Sequence, residues 1–167
     1  EVFPDNPLRP DDYYERWKMR NWMHRFESIL HKNINTISFV KQNRMKRYES
    51  FSEEDLLKFV SRQVNAERRA SIEKRLRNGV SEAEMSFAED RIAEVIDEMN
   101  LALEGQSFLN AGRLSLADIS VAPFIERLEA NALDQLTDWK KRPHLGAWWS
   151  KMQELPSYKK AFAFTVL

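Results

Sequence analysis

Leu114-Ser115-Leu116-Ala117-Asp118-Ile119 opens the run that decides the fold. Ser115 can accept from an unpaired N–H of a helix start, and Asp118, three residues on, can reach back to the cap residue. Leu114 and Ile119 stand at the two positions of a hydrophobic staple. Past the cap acid, the run to Ile125 carries one hydroxyl and no further charge. Leu116, Ile119, Val121, Ala122, Phe124 and Ile125 cover the helix nearly all round. A helix apolar on every side has to be enclosed by others. The expectation is a central helix over 115–131, with the rest of the chain wrapped around it.

The same start signature occurs twice more. Phe51-Ser52-Glu53-Glu54-Asp55-Leu56 and Val80-Ser81-Glu82-Ala83-Glu84-Met85 place staple residue, cap, acid and staple residue at the same offsets. The first of these helices is expected to run to Arg77, with Asn78-Gly79 as its stop. The second runs to Glu104 and is stopped by Gly105. It carries a stripe of Met85, Ala88, Ile92, Val95, Ile96, Met99 and Leu103.

Upstream, Pro10-Asp11-Asp12 supplies a fixed φ and two acids for the first turn of another helix. Met19, Trp22, Met23, Phe26, Ile29, Leu30, Ile34 and Ile37 then recur at helical spacing. The basic stretch 41–47 reads as the worn end of that helix. Downstream, Phe108 and Leu109 in the loop 106–113 are expected to tuck against the bundle. A polar connection over 133–142 holds Trp139. Pro143 opens a helix whose face is Leu145, Trp148, Trp149, Met152 and Leu155, and Pro156 opens a short terminal helix through Phe162. The fold class is all-α, a bundle of six or seven helices.

Composition narrows the function. The 167 residues suffice for one domain with a core. With 26 basic and 26 acidic residues the net charge is zero, which argues against a general nucleic-acid or acidic-membrane binder. The absence of cysteine removes disulfides, thiol catalysis and sulfur-ligated zinc from this chain and fits a reducing, cytoplasmic compartment. No long uncharged apolar run is present to span a membrane. Four glycines and few β-branched runs leave little room for sheet. The first ten residues hold three prolines, Pro4, Pro7 and Pro10, and read as an interdomain linker leading out of a larger protein.

His24, Glu27 and His31 fall on one helix face, and Arg20 extends the row by a turn. A metal reading needs a matching motif on a second helix with further carboxylates facing in, and the third histidine, His144, does not supply one. No metal is expected. A solvated polar face and the polar wall of a ligand cleft remain open. No G-x-S-x-G turn and no glycine-rich phosphate loop occurs. The basic stretches 41–47 and 67–77 read as solvated faces, since Glu67 and Glu73 interleave the second. Trp17, Trp22, Trp148 and Trp149 read as core or interface. No catalytic residue is legible in this chain.

Ser115-Leu116-Ala117-Asp118-Ile119, preceded by Phe108-Leu109 and Gly112, resembles the capped core helix in the C-terminal domain of glutathione S-transferases. Arg142-Pro143-His144-Leu145-Gly146-Ala147-Trp148-Trp149 with Leu155-Pro156-Ser157-Tyr158 resembles that family's closing helices. Val2-Phe3-Pro4 with Leu8-Arg9-Pro10 resembles the linker that follows its thioredoxin-like N-terminal domain. The resemblance covers the chain in order, with residues 11–167 as the helical domain. Within the family, the long first segment with Trp22, Glu27 and His31 and the Arg-rich middle helix look most like bacterial enzymes near the β-etherase (glutathione lyase) group.

The resemblance implies an electrophile-binding helical domain that acts only with an N-terminal thioredoxin-like domain outside these residues. That domain binds glutathione, the co-substrate, and activates its sulfur. The helical domain walls in a hydrophobic electrophile. Arg20, His24, Glu27, Ser28 and His31 are then candidates for the cleft side: Glu27 for a glutathione amine, His31 or Arg20 for a carboxylate or a developing negative charge. A homodimer through the first long helix, beside Tyr14 or Trp17, is implied too. Ser115 and Asp118 match the family's structural cap. The other reading is a non-catalytic helical adaptor that docks proteins. It gains if the polar row is plain surface and an apolar patch lies elsewhere.

Overall fold

The computed structural model describes residues 7–42, 48 and 50–163. Its first element is one continuous rod made of α1 (Tyr13–Arg25), a π-helical turn (Phe26–His31) and α2 (Lys32–Lys41). There follow α3 (Glu53–Ser61), α4 (Ala66–Asn78), α5 (Glu82–Ala102), α6 (Leu116–Ala130), α7 (Pro143–Glu154) and α8 (Pro156–Ala161). With the rod counted once, the described residues form seven helices, and their extended pairing is limited to an isolated bridge between Asn110 and Arg113. The all-α bundle expected from the cap pattern is the fold adopted.

Burial follows the apolar stripes. Phe26, Leu30, Ile34 and Ile37 from the rod meet Ile92, Val95, Ile96 and Met99 of α5, Val121, Ile125 and Leu128 of α6, and Trp148, Trp149 and Met152 of α7. Each such side chain contributes roughly 1.5–3 kcal/mol when fully enclosed. Leu109 is buried and Phe108 packs on the same core, as the loop reading required. A smaller core of Phe39, Val60 and Leu76, with Tyr48, Phe59 and Ile72 around it, joins α3 and α4 to the far end of the rod.

All three serine starts close as capping boxes. Ser52 N–H donates to Asp55 at 3.3 Å and Ser81 N–H to Glu84 at 3.0 Å, while each serine Oγ accepts from the backbone N–H of its partner acid. Gly79 ends α4 with φ 72°, a backbone conformation that residues with a Cβ adopt only at a cost.

Four local readings are corrected. The helix expected over 52–77 is two, because the chain breaks between Ser61 and Ala66. Asn65 caps the second by accepting from Arg68 N–H at 2.9 Å, and Arg69 Nη1 takes the freed carbonyls of Gln63 (2.7 Å) and Val64 (2.9 Å). Periodicity carried the helix across this break because Asn is an unobtrusive cap inside a polar run. The rod begins at Tyr13, with Asp12 outside it as the cap, accepting from Glu15 N–H at 2.9 Å.

The central helix is not enclosed on every side. Leu116 and Ile119 are 36% and 42% exposed, so the staple is one-sided: Leu114 packs on the core and Ile119 does not. Trp17 is 58% exposed and stacks on Tyr14 with ring centroids 5.8 Å apart, so of its core-or-interface reading the core half is corrected. Trp148 and Trp149 are core as read, and Trp22 packs half-buried against it. The stretch 43–47, read as a worn helix end, lies outside the described residues, as do residues 1–6 of the linker reading. Pro7 to Pro10 is non-helical, and Leu8 lends its carbonyl to Leu116 N–H at 3.0 Å.

Candidate functional site

Two polar constellations stand out. The first is internal. Asp118 is fully buried in the first turn of α6. Its Oδ2 accepts from Ser115 N–H (2.9 Å) and Ser115 Oγ (2.8 Å). Its Oδ1 accepts from Leu109 N–H and from Trp148 Nε1, both at 2.9 Å. Four donors therefore meet one acceptor-only carboxylate, so the group is satisfied without a cation. One residue fixes the start of α6, the incoming loop and α7 together. Sequence reading found the local half of this arrangement, Ser115 to Asp118. The other half joins positions nine and thirty residues away and left no local mark.

The second constellation is the row on the rod. Arg20, His24, Glu27, Ser28 and His31 are all exposed. The structure brings two of them together: His31 Nδ1 lies 2.9 Å from Glu27 Oε1. His31 also sits over Phe124 of α6, with centroids 5.9 Å apart. Ser28 turns back on its own helix, its Oγ donating to the His24 carbonyl at 2.7 Å. That competition for a backbone acceptor is how serine loosens a helix, and it falls inside the π turn Phe26–His31. A π turn adds about one residue to a helical turn, so positions beyond His31 are rotated from the phase that a uniform α-helix extrapolates. Arg20 and His24 lie on the N-terminal side of that shift, in α1. Phe124 is the neighbour that the row reading missed. It is ninety-odd residues from His31, and only packing of α6 on the rod makes them adjacent.

An exposed imidazole paired with a carboxylate, beside a half-buried aromatic ring, can hold a polar group against an apolar one. Among the described residues no group of three or more His, Asp or Glu is placed to hold a metal ion. None of their helices is long and apolar enough to cross a membrane.

Similar proteins agree with this architecture. In curated sequences, residues of this chain are 31% identical over 74 residues to glutathione S-transferase TCHQD of Arabidopsis thaliana, which is 44% of this chain and 27% of that protein. A second Arabidopsis thaliana protein, glutathione S-transferase F10, is 32% identical over 76 residues, 46% of this chain and 35% of that protein. The chain thus spans about a third of the length of the curated relatives it matches. In solved structures, the β-etherase LigF from Sphingobium sp. strain SYK-6 superposes with a TM-score of 0.82 at 23% identity, covering 97% of this chain and 68% of that one. At that identity the match is one of fold. The profile of the family described as "Glutathione S-transferase, C-terminal domain" matches residues 62–148, more than half of the chain, from the break before α4 to the Trp148 that anchors Asp118. The chain belongs to the glutathione S-transferase C-terminal domain family.

Proposed function

We propose that this chain is the electrophile-binding helical domain of a glutathione transferase. It works with a thioredoxin-like N-terminal domain that holds glutathione and activates its sulfur. The reaction is glutathione conjugation or glutathione-dependent ether cleavage, in cytoplasmic detoxification chemistry. The observation that carries this reading is family membership in a segment taking up only about a third of its curated relatives. Ether cleavage stands beside conjugation because the solved fold described above is that of a β-etherase.

In this reading the rod lines the cleft. The Glu27 carboxylate, 73% exposed at its side chain, is open to an ammonium such as that of glutathione. His31 and Arg20 face a carboxylate or the charge that develops on an electrophile. His24 and Ser28 complete the polar side, and Phe124 offers an apolar contact beside His31. A homodimer would use α1, where Tyr13, Tyr14 and Trp17 are exposed.

One observation favours the adaptor reading instead: the whole polar row is exposed, while Leu116 and Ile119 are exposed at the start of α6. Intact mass of the native protein, followed by calorimetry with glutathione, separates the two. A mass well above 19.8 kDa with glutathione binding supports the transferase. A mass near 19.8 kDa without binding overturns it in favour of a free-standing docking module.

A further inference from the structure

A groove of about 370 Å³ lies between α2, α4 and α5, and no residue of the Arg20 to His31 row lines it. Its volume is at the lower end of the range for small-molecule sites, about 300–1,000 Å³. Three cations line it, Lys32, Lys74 and Arg75, against one carboxylate, Glu84. That carboxylate is already engaged: it takes Lys74 Nζ at 2.7 Å and the Ser81 N–H at 3.0 Å. Lys32 and Arg75 make no ion pair with it, although Glu84 acts on Arg75 through space.

Arg75 is the unusual member. It is half-buried, its Nη2 donates to Thr36 Oγ1 at 3.1 Å, and its Cζ stands 5.7 Å from the Phe39 ring centroid. Among the described residues no carboxylate forms an ion pair with it. Burial pushes its pKa below the usual guanidinium value, which is the signature of a cation deprived of water. A partly desolvated cation held in place by a hydroxyl and a ring gains most from an anion brought to it. The lining also holds three apolar residues, Val80, Ala83 and Phe87, the last of them 63% exposed. A large exposed ring at the rim of a cationic groove suits a flat apolar body better than a hydrated ion.

We propose that this groove binds an aromatic carboxylate, with the carboxylate between Arg75 and Lys32 and the ring against Val80, Ala83 and Phe87. The site is independent of the glutathione chemistry proposed above and stands or falls without it.

The probe is naphthalene-2-carboxylate, titrated into the 167-residue chain and followed by calorimetry and by backbone amide NMR shifts. Saturable shifts are expected at Thr36, Arg75, Val80, Ala83 and Phe87. Naphthalene-2-carboxamide, the neutral counterpart, is expected to bind about tenfold weaker or worse, because it cannot form the charge-assisted bond. Arg75→Gln should weaken the acid by a similar factor, and Lys140→Gln, an exposed lysine elsewhere, should not. If Arg75→Gln fails to fold, Lys32→Gln gives the same reading at a surface position, with a several-fold loss expected. Equal binding of acid and amide overturns the proposal, as does wild-type affinity in folded Arg75→Gln or in Lys32→Gln. No saturable binding, shifts confined to the Arg20 to His31 face, or inorganic phosphate binding as tightly as the aromatic acid overturn it too.

Discussion

Trp148 Nε1 donates to Asp118 Oδ1 at 2.9 Å, across the core, and ties α7 to the first turn of α6. A helix cap is ordinarily a local device. Here its acid is also the hydrogen-bond partner of an indole that would otherwise be buried without one, and of the Leu109 N–H in the preceding loop.

Replacing Asp118 with Ala should therefore cost more than a lost cap, which is about 0.5–2 kcal/mol. Leaving the indole and the Leu109 N–H without acceptors raises the expected loss to about 3–5 kcal/mol. Ser115→Ala, which removes one donor and leaves the acid in place, should cost about 1 kcal/mol. Urea unfolding of both variants checks this. Equal losses for the two would mean that the long-range bonds add nothing.

Gly146 lies in α7 against Trp139, and a Cβ built there would come 2.8 Å from the Trp139 Cβ. Trp139 cannot easily retreat, since its Nε1 donates to Glu129 Oε1 at 3.0 Å. Gly146→Ala would normally favour a helix by up to about 1 kcal/mol. At this position overpacking dominates, and a net loss of about 1–3 kcal/mol is expected by thermal or urea unfolding.

The Ser81–Glu84 cap carries a pH signature. Hydrogen bonds from Lys74 and Ser81 hold the Glu84 carboxyl down to about 2, from an ordinary 4.5. A carboxylate depressed in the folded state stabilises it above the unfolded value and loses that effect as pH falls through the folded value. The contribution should be complete above about pH 4.5 and gone near pH 2. Glu84→Gln should then be less stable than the parent at pH 7, with the gap closing over that window in acid unfolding curves. A gap of constant size from pH 7 to pH 2 would falsify this assignment.

His31 tests the proposed cleft. Its pair with Glu27 is exposed on both sides, so His31→Ala should shift stability by no more than about 0.5 kcal/mol. In the full transferase proposed above, the same change should raise KM for several electrophiles a few-fold, with glutathione affinity less affected. Unchanged steady-state kinetics across those substrates removes His31 from the site.

Much of the architecture was legible in the order of residues, for a physical reason. A capping box closes over three residues, so Ser52, Ser81 and Ser115 mark their helix starts whatever surrounds them. Apolar recurrence at helical spacing likewise names the buried face of α5, from Ala88 to Leu103, before any partner is known. Family resemblance rested on the same local text. What local text cannot contain is the identity of the neighbour. The break before Asn65 is held by Arg69 folding back on two carbonyls, and the exposure of Leu116 and Ile119 reflects what packs beside α6. Only the packed bundle sets Phe124 beside His31, leaves Arg75 without an ion-paired carboxylate among the described residues, and sends Trp148 to Asp118. Helix starts are decided by bonds a few residues long. Sites are decided by side chains that meet only after the helices have closed on one another.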